Sequence, residues 1–195
     1  MKCLVLFDFD GTLTAKDSFT AFIRATNSTV NFIFGFILLS PVLFLYKIGI
    51  VPNWKAKQIV IGFFFGEMRA EKFYELCKNF SEKNIPGLVK QNAMQKLRDH
   101  LAAGNNVVVV TASLEPYMKP WCESIGVELI ATRLEQRDEK ITGNYYGKNC
   151  YGKEKAKRIR EKYSLESYEK IIAYGDSRGD TEMLELANEK FYRVF

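Results

Sequence analysis

The residues best placed to do chemistry stand together near the start of the chain, in Asp8-Phe9-Asp10-Gly11-Thr12. The apolar run Cys3-Leu4-Val5-Leu6-Phe7 leads into them and reads as a buried parallel strand, short, aliphatic and aromatic. Strand side chains alternate faces, so Asp8 and Asp10 leave the strand end on one side and Phe9 on the other. Two carboxylates in one site repel unless a cation lies between them or one keeps its proton. The pair is therefore a candidate metal site and a candidate acid/base site. A bare Asp-x-Asp is often no more than a turn at a strand end. The longer motif is rarer: four specified residues at about 5% frequency each recur by chance roughly 10⁻³ times in a chain of this size.

Residues that would complete such a site follow in order, each at the edge of an expected element. Asn106-Val107-Val108-Val109-Val110 is a second apolar strand ending in Thr111-Ala112-Ser113. Ile171-Ile172-Ala173-Tyr174 is a third, ending in Gly175-Asp176-Ser177-Arg178-Gly179-Asp180 ahead of a helical pattern at Met183, Leu184 and Ala187. Between them Gly152-Lys153-Glu154-Lys155 opens a helix with apolar positions Ala156, Ile159 and Tyr163. In an open parallel sheet ligands bind outside the carboxyl ends of the strands, so these segments should meet in one crevice.

With these four segments in hand, the chain resembles the haloacid dehalogenase superfamily of aspartate-nucleophile phosphatases. Asp8-Phe9-Asp10-Gly11-Thr12 looks like its first motif, Thr111 its second, Lys155 its lysine motif, and Gly175-Asp176 with Asp180 its acidic fourth. The resemblance implies a phosphomonoester substrate, with Asp8 as nucleophile forming an aspartyl-phosphate and Asp10 carrying the proton. It implies Mg²⁺ held by the Asp8 carboxylate, the Asp10 main-chain carbonyl and Asp176. Thr111 would donate to the phosphoryl group, Lys155 would balance charge, and Asp180 would orient the metal waters or Lys155. Lys153 rivals Lys155, which is preferred because the family's motif lysine is followed four residues later by an apolar helix position, here Ile159. Ser113 rivals Thr111 as the hydroxyl donor. Thr12, Asp17, Ala112 and Ser113 are candidate substrate-binding residues, and Gly179 stands where many relatives carry a polar residue.

The elements that must position these groups form an α/β fold, a doubly wound, mainly parallel Rossmann-like sheet with an inserted α-helical cap. Residues 1–14 and 91–195 would form the core and 15–90 the cap, because the insert between them is about 75 residues long, too many for a loop. In the insert, Phe73, Leu76, Cys77 and Phe80 have helical spacing, and the apolar stretches at 32–46 and 59–65 also favour helix. The core resumes with a helix over 92–103 ended by Gly104. A further helix spans 116–125, its first turn disturbed by Pro120. A strand over 127–131, a β-hairpin over 135–149 containing Gly143 and Gly147, and a last strand over 191–194 complete it.

Composition fits an enzyme of one core with a modest insertion in 195 residues. Four cysteines, Cys3, Cys77, Cys122 and Cys150, are far apart and form no C-x-x-C pair, which points to a reducing compartment rather than disulfides or zinc. The single histidine, His100, falls in the polar part of its helical pattern and should face solvent, so no histidine mechanism is offered. The net charge of +5 is mild and its basic residues mix with acids, as in 153–162, which argues against nucleic acid. Met1-Lys2 leads straight into the first strand, so no secretory leader and a cytoplasmic location are expected.

One anomaly lies in the insert: no charged residue occurs between Arg24 and Lys47. The stretch 32–46 approaches the ~20 residues of a membrane-spanning helix. A single crossing would put Asp8 and Thr111 on opposite sides of a bilayer, and 59–65 is too short for a second. Two readings stand: a buried or self-associating helix in the cap, or a hairpin broken at Pro41 that makes peripheral membrane contact at the inner face of the membrane. A helical insert after the first motif, with Asp17-Ser18 and Cys150-x-Gly152-x-x-Lys155, resembles the phosphoserine-phosphatase-like subgroup. Some of its members, similar to phosphatidylglycerophosphatase C, carry an apolar segment at this place. The resemblance thus implies a small or lipid-linked phosphomonoester, phosphoserine-like or phosphatidylglycerophosphate-like. Asp17 would meet a substrate amine or cap a helix starting at Ser18, and Lys55 and Lys57 are cationic candidates. Two rivals are a receiver-type phosphoacceptor module, against which the insert and Asp10 argue, and an inactive binding relative.

Overall fold

The computed structural model describes residues 3–195; Met1 and Lys2, on which the expectation of no leader rests, lie outside the described residues. Strand β1 (Leu4–Phe7) is fully buried because each of its side chains meets a packed layer. Leu4 and Leu6 face one apolar cluster while Val5 and Phe7 face another, as the two-residue repeat of a strand requires. It pairs in parallel with β2 (Asn106–Leu114) and with β6 (Ile171–Gly175), Phe7 lying opposite Val109 and Tyr174. With β3 (Glu128–Thr132) and β7 (Glu189–Tyr192) outermost, the sheet runs β3-β2-β1-β6-β7, all parallel. The chain builds outward from β1 to β3 and then returns to β6, so the strand order reverses beside β1, where such sheets bind ligands.

Helices α8 (Lys153–Lys162) and α9 (Thr181–Leu184) cover the Leu4–Leu6 face through Ile159, Met183 and Leu184. Helices α6 (Gln91–Ala102) and α7 (Glu115–Ser124) cover the other. That second cluster continues into the helices inserted between β1 and β2. These are α1 (Ser18–Thr26), α2 (Thr29–Lys47), α3 (Asn53–Phe65), α4 (Ala70–Lys83) and the short α5 (Ile85–Leu88). Phe22 of α1 stands 5.0 Å from the Tyr117 ring of α7 and 5.3 Å from Phe80 of α4, so aromatic stacking knits the insert to the sheet layer.

Several expectations shift. β2 runs on to Leu114, its pairing with β3 losing register between Val110 and Leu114, so Thr111-Ala112-Ser113 continue the strand instead of ending it. The hairpin of β4 (Leu134–Arg137) and β5 (Lys140–Tyr145) turns on Asp138 and Glu139, at φ 48° and 59°, the geometry of a two-residue turn that matches strand twist. Gly143 serves packing instead: a Cβ there would lie 2.5 Å from the Cα of Gly62, so its hydrogen lets β5 close on α3. Pro120 sits inside α7 without ending it, and the last strand starts at Glu189 rather than 191.

His100 is buried rather than solvent-facing, because α6 lays it against Phe7 and within 2.9 Å of the Tyr174 hydroxyl. The broken-hairpin reading of 32–46 also fails: α2 runs unbroken through Pro41. Pro41 has no N–H for the Ile37 carbonyl, and the Ser40 hydroxyl donates to that carbonyl instead, at 2.7 Å. Nor is α2 a buried core helix, since only Gly35 and Leu39 along it are buried.

Candidate active site

The register of β1 with β2 and β6 sets Asp8 level with Val110 and Gly175, so Thr111 and Asp176 stand one residue further out at the same sheet edge. The Asp8 amide is held by the Tyr174 carbonyl at 2.9 Å. Lys155 arrives from α8: as the third residue of the helix, one turn before Ile159, it shares that residue's inward face. Its ammonium, 1% exposed, donates to Asp8 Oδ1 at 2.5 Å and Asp180 Oδ1 at 2.7 Å, whereas Lys153 is exposed. Asp180 is saturated, for its other oxygen accepts the Ser177 amide at 3.0 Å, the Ser177 hydroxyl at 2.9 Å and the Asp176 amide at 3.2 Å.

Asp10 is fastened differently. One oxygen accepts the Ser18 amide at 2.7 Å; the other accepts the Ser18 hydroxyl at 3.1 Å and the Ser113 hydroxyl. Tyr117 backs this pair, its hydroxyl 3.2 Å from Ser18 Oγ. Thr111 Oγ1 accepts the Ser113 amide at 3.0 Å, which leaves its own proton free to point elsewhere. The Thr12 hydroxyl reaches Asp176 Oδ1 at 3.4 Å, and the Ala112 carbonyl takes the Thr132 hydroxyl at 3.0 Å. Asp17 caps α1 by accepting the Thr20 amide at 2.7 Å and lies 4.0 Å from the Lys57 ammonium.

Sequence reasoning gave no site role to Ser18, Tyr117 or Lys90. Lys90 donates to the Gly11 carbonyl at 2.6 Å and so ties down the loop carrying Asp10, from 79 positions away. Ser18 alone had a local signal, eight residues after Asp10 at the start of a helix.

Burial dominates the electrostatics. It raises the Asp8 carboxyl to about 7, against the lowering effect of Lys155, with Asp180 adding to the rise. Burial opposes the Lys155 charge as well, but Asp8 and Asp180 overcome it and hold the ammonium above its usual range. Asp180 is also raised by burial, yet Lys155 and Ser177 bring it below the ordinary carboxylate value. Asp10 is raised by burial and by Asp17, with Lys57 and Ser113 working the other way. Asp176 is raised by burial and by Asp180.

One lysine thus faces three carboxylates, Asp8, Asp176 and Asp180, whose oxygens come within 4.8 Å of one another. With Asp180 committed to Lys155 and Ser177, Asp8 and Asp176 are the acids left to meet a further cation. The donors are all oxygen, the set a hard divalent ion such as Mg²⁺ selects. Gly11 keeps this space open: its φ is +89°, and a Cβ there would fall 2.3 Å from Asp176 Oδ2. The site therefore fits a magnesium ion.

The family model of the haloacid dehalogenase-like hydrolases matches residues 5–185. The chain is 38% identical over 194 residues to protein CicA of Caulobacter vibrioides, covering 98% of this chain and 86% of that one. It is 40% identical over 106 residues to a probable phosphatase of Mycobacterium tuberculosis, covering 52% of this chain and 36% of the relative. A crystal structure of a protein of unknown function from Bordetella pertussis superposes with a TM-score of 0.85 at 25% identity, covering 97% and 89% of the two chains. A substrate-bound phosphoserine phosphatase superposes at 0.69 and 19% identity, covering 98% and 86%, and shares the fold. The chain belongs to the haloacid dehalogenase-like hydrolases.

Proposed function

We propose that this hydrolase is a phosphatase, a Mg²⁺-dependent phosphomonoester hydrolase that works through an aspartyl-phosphate on Asp8. The observation that carries the reading is the contrast between its two motif acids. Asp8 shares the Lys155 ammonium and faces the acidic cluster, while Asp10 sits among hydroxyls two residues on.

Asp8 attacks phosphorus with its carboxylate oxygen, and Lys155 offsets the charge of the Asp8 and phosphoryl oxygens. Asp10, its proton affinity raised by burial, gives a proton to the departing alkoxide and later takes one from the water that hydrolyses the acyl phosphate. Ser18 and Ser113 fix the Asp10 carboxyl in one orientation for both transfers. The Thr111 hydroxyl, already an acceptor from Ser113, donates to a phosphoryl oxygen. Asp8, Asp176 and the Asp10 carbonyl would hold a magnesium ion, which when bound would supply charge neutralisation for the phosphoryl oxygens. Asp180 positions Lys155. The helices spanning 15–90 act as a cap over this site, and residues 1–14 with 91–195 as the catalytic core. The substrate class is a small or lipid-linked phosphomonoester.

The test is Mg²⁺-dependent phosphate release from an aryl phosphate, phosphoserine and phosphatidylglycerophosphate, comparing the parent with Asp8→Asn. The variant should fold and lose turnover by at least about 10³-fold. Turnover within tenfold of the parent removes Asp8 as nucleophile.

A further inference from the structure

Helix α2 is the feature that phosphate chemistry leaves unexplained. Its nineteen residues span about 28 Å and carry no charge before Lys47. One face is seated on the insert: Gly35 and Leu39 are buried, and the Phe36 ring stands 6.0 Å from Phe64 of α3. The opposite face repeats at helical spacing and is bare, with Ile33, Phe34, Ile37, Leu38 and Phe44 each more than half exposed. Exposed apolar surface on this scale marks a contact with something apolar.

Charge says what that something is. From Ser18 to Gly66 the chain has no acidic residue, while Arg24, Lys47 and Lys55 are exposed in the same segment. Trp54 and Tyr46 are also exposed where α2 gives way to α3, and such aromatics favour the boundary between lipid and water. A second copy of this chain would set cation against cation across such a face, whereas an anionic lipid surface satisfies both the apolar stripe and the charges. Crossing is excluded by connectivity, because α2 is packed on α3 and both flanking segments return to one site. On its seated side α2 lines a cavity of about 220 Å³ through Phe36 and Leu43, together with Asp17 and Lys57.

We infer that the outer face of α2 docks this chain on the surface of an anionic lipid bilayer, the helix lying along the interface with Arg24, Lys47 and Lys55 among the headgroups. The occupant is a membrane rather than a protein.

Vesicle flotation tests it. The purified protein is mixed with vesicles of phosphatidylcholine alone or with about one third phosphatidylglycerol, and Phe34→Gln/Ile37→Gln is run beside the parent. Both substituted side chains are exposed, so the variant keeps its fold and its hydrolysis of a soluble aryl phosphate. That readout separates a failure of docking from a failure of the phosphatase reading. The parent should float with the anionic vesicles, and the variant should partition at least about tenfold less per residue changed. High salt should weaken binding. Absence of flotation with anionic vesicles overturns the inference. So does equal flotation with neutral ones, or a lipid-free dimer by sedimentation that the variant dissociates.

Discussion

Replacing Lys155 by Met puts the geometry of the site under its heaviest test. The ammonium is buried between Asp8 Oδ1 at 2.5 Å and Asp180 Oδ1 at 2.7 Å, and Met keeps the length of the side chain while deleting the charge. At an effective dielectric of about 20 each contact is worth roughly 6 kcal/mol of Coulomb attraction, most of it offset by the cost of taking the ions out of water. The net loss is the cost of leaving Asp8 and Asp180 facing each other unpaired, about 3–5 kcal/mol. In a chain of this size that lowers the melting temperature by roughly 6–20 °C. The loss should depend on pH in a defined sense. Without the lysine the two carboxyls have folded-state proton affinities above their unfolded ones. The variant therefore keeps most of its stability at acid pH, where one carboxyl is protonated, and loses it as pH rises through the carboxylate range toward neutrality. Thermal melts in chelator at pH 5 and pH 8 should show the gap to the parent widening with pH, while turnover at pH 7.5 falls by about 10²-fold or more. Lys153→Met, at an exposed position, serves as the control and should change stability by no more than about 0.5 kcal/mol. A Lys155→Met protein that melts within about 2 °C of the parent at pH 8 would refute the buried triad.

Ser113→Ala removes a hydroxyl that lowers the proton affinity of Asp10, so the acid limb of the pH–rate profile should move upward and turnover at neutral pH should fall about tenfold; an unmoved limb would detach Ser113 from Asp10. His100 is held below its ordinary range by burial and by Lys96, so it contributes stability that is present above about pH 6.5 and lost as pH falls through its folded value. Urea unfolding of His100→Gln should accordingly vary less between pH 7 and pH 5 than that of the parent, and equal slopes would contradict the burial. Gly143→Ala places a methyl 2.5 Å from Gly62 Cα at a φ of +86°, which should cost about 1–3 kcal/mol by calorimetry; a neutral result would mean that α3 and β5 can part without penalty.

Much of this molecule was legible along the chain because its strongest signals are local. Apolar runs such as Val107 to Val110 have one stable use in a parallel sheet, and acids or hydroxyls at their ends mark the edge where ligands bind. That reasoning reaches Asp8, Asp10, Thr111, Asp176 and Asp180, the family resemblance adds Lys155, and the fold brings all six to one edge of the sheet. Periodicity placed His100 on the wrong side because it records the helix alone, while burial was decided by Phe7 and Tyr174 on strands far away in sequence. The same limit hid Lys90 and Tyr117, whose partners are remote.

Strand periodicity and motif spacing are properties of neighbouring residues, so the class of fold, the order of its parts and the chemistry available could be read along the chain. Contacts made in the folded chain settle that Ser113 bonds Asp10 while Asp17 caps a helix, and that α2 presents its apolar face outward. Those outcomes depend on which surfaces meet after the chain has closed on itself, across separations as long as that between Asp10 and Ser113.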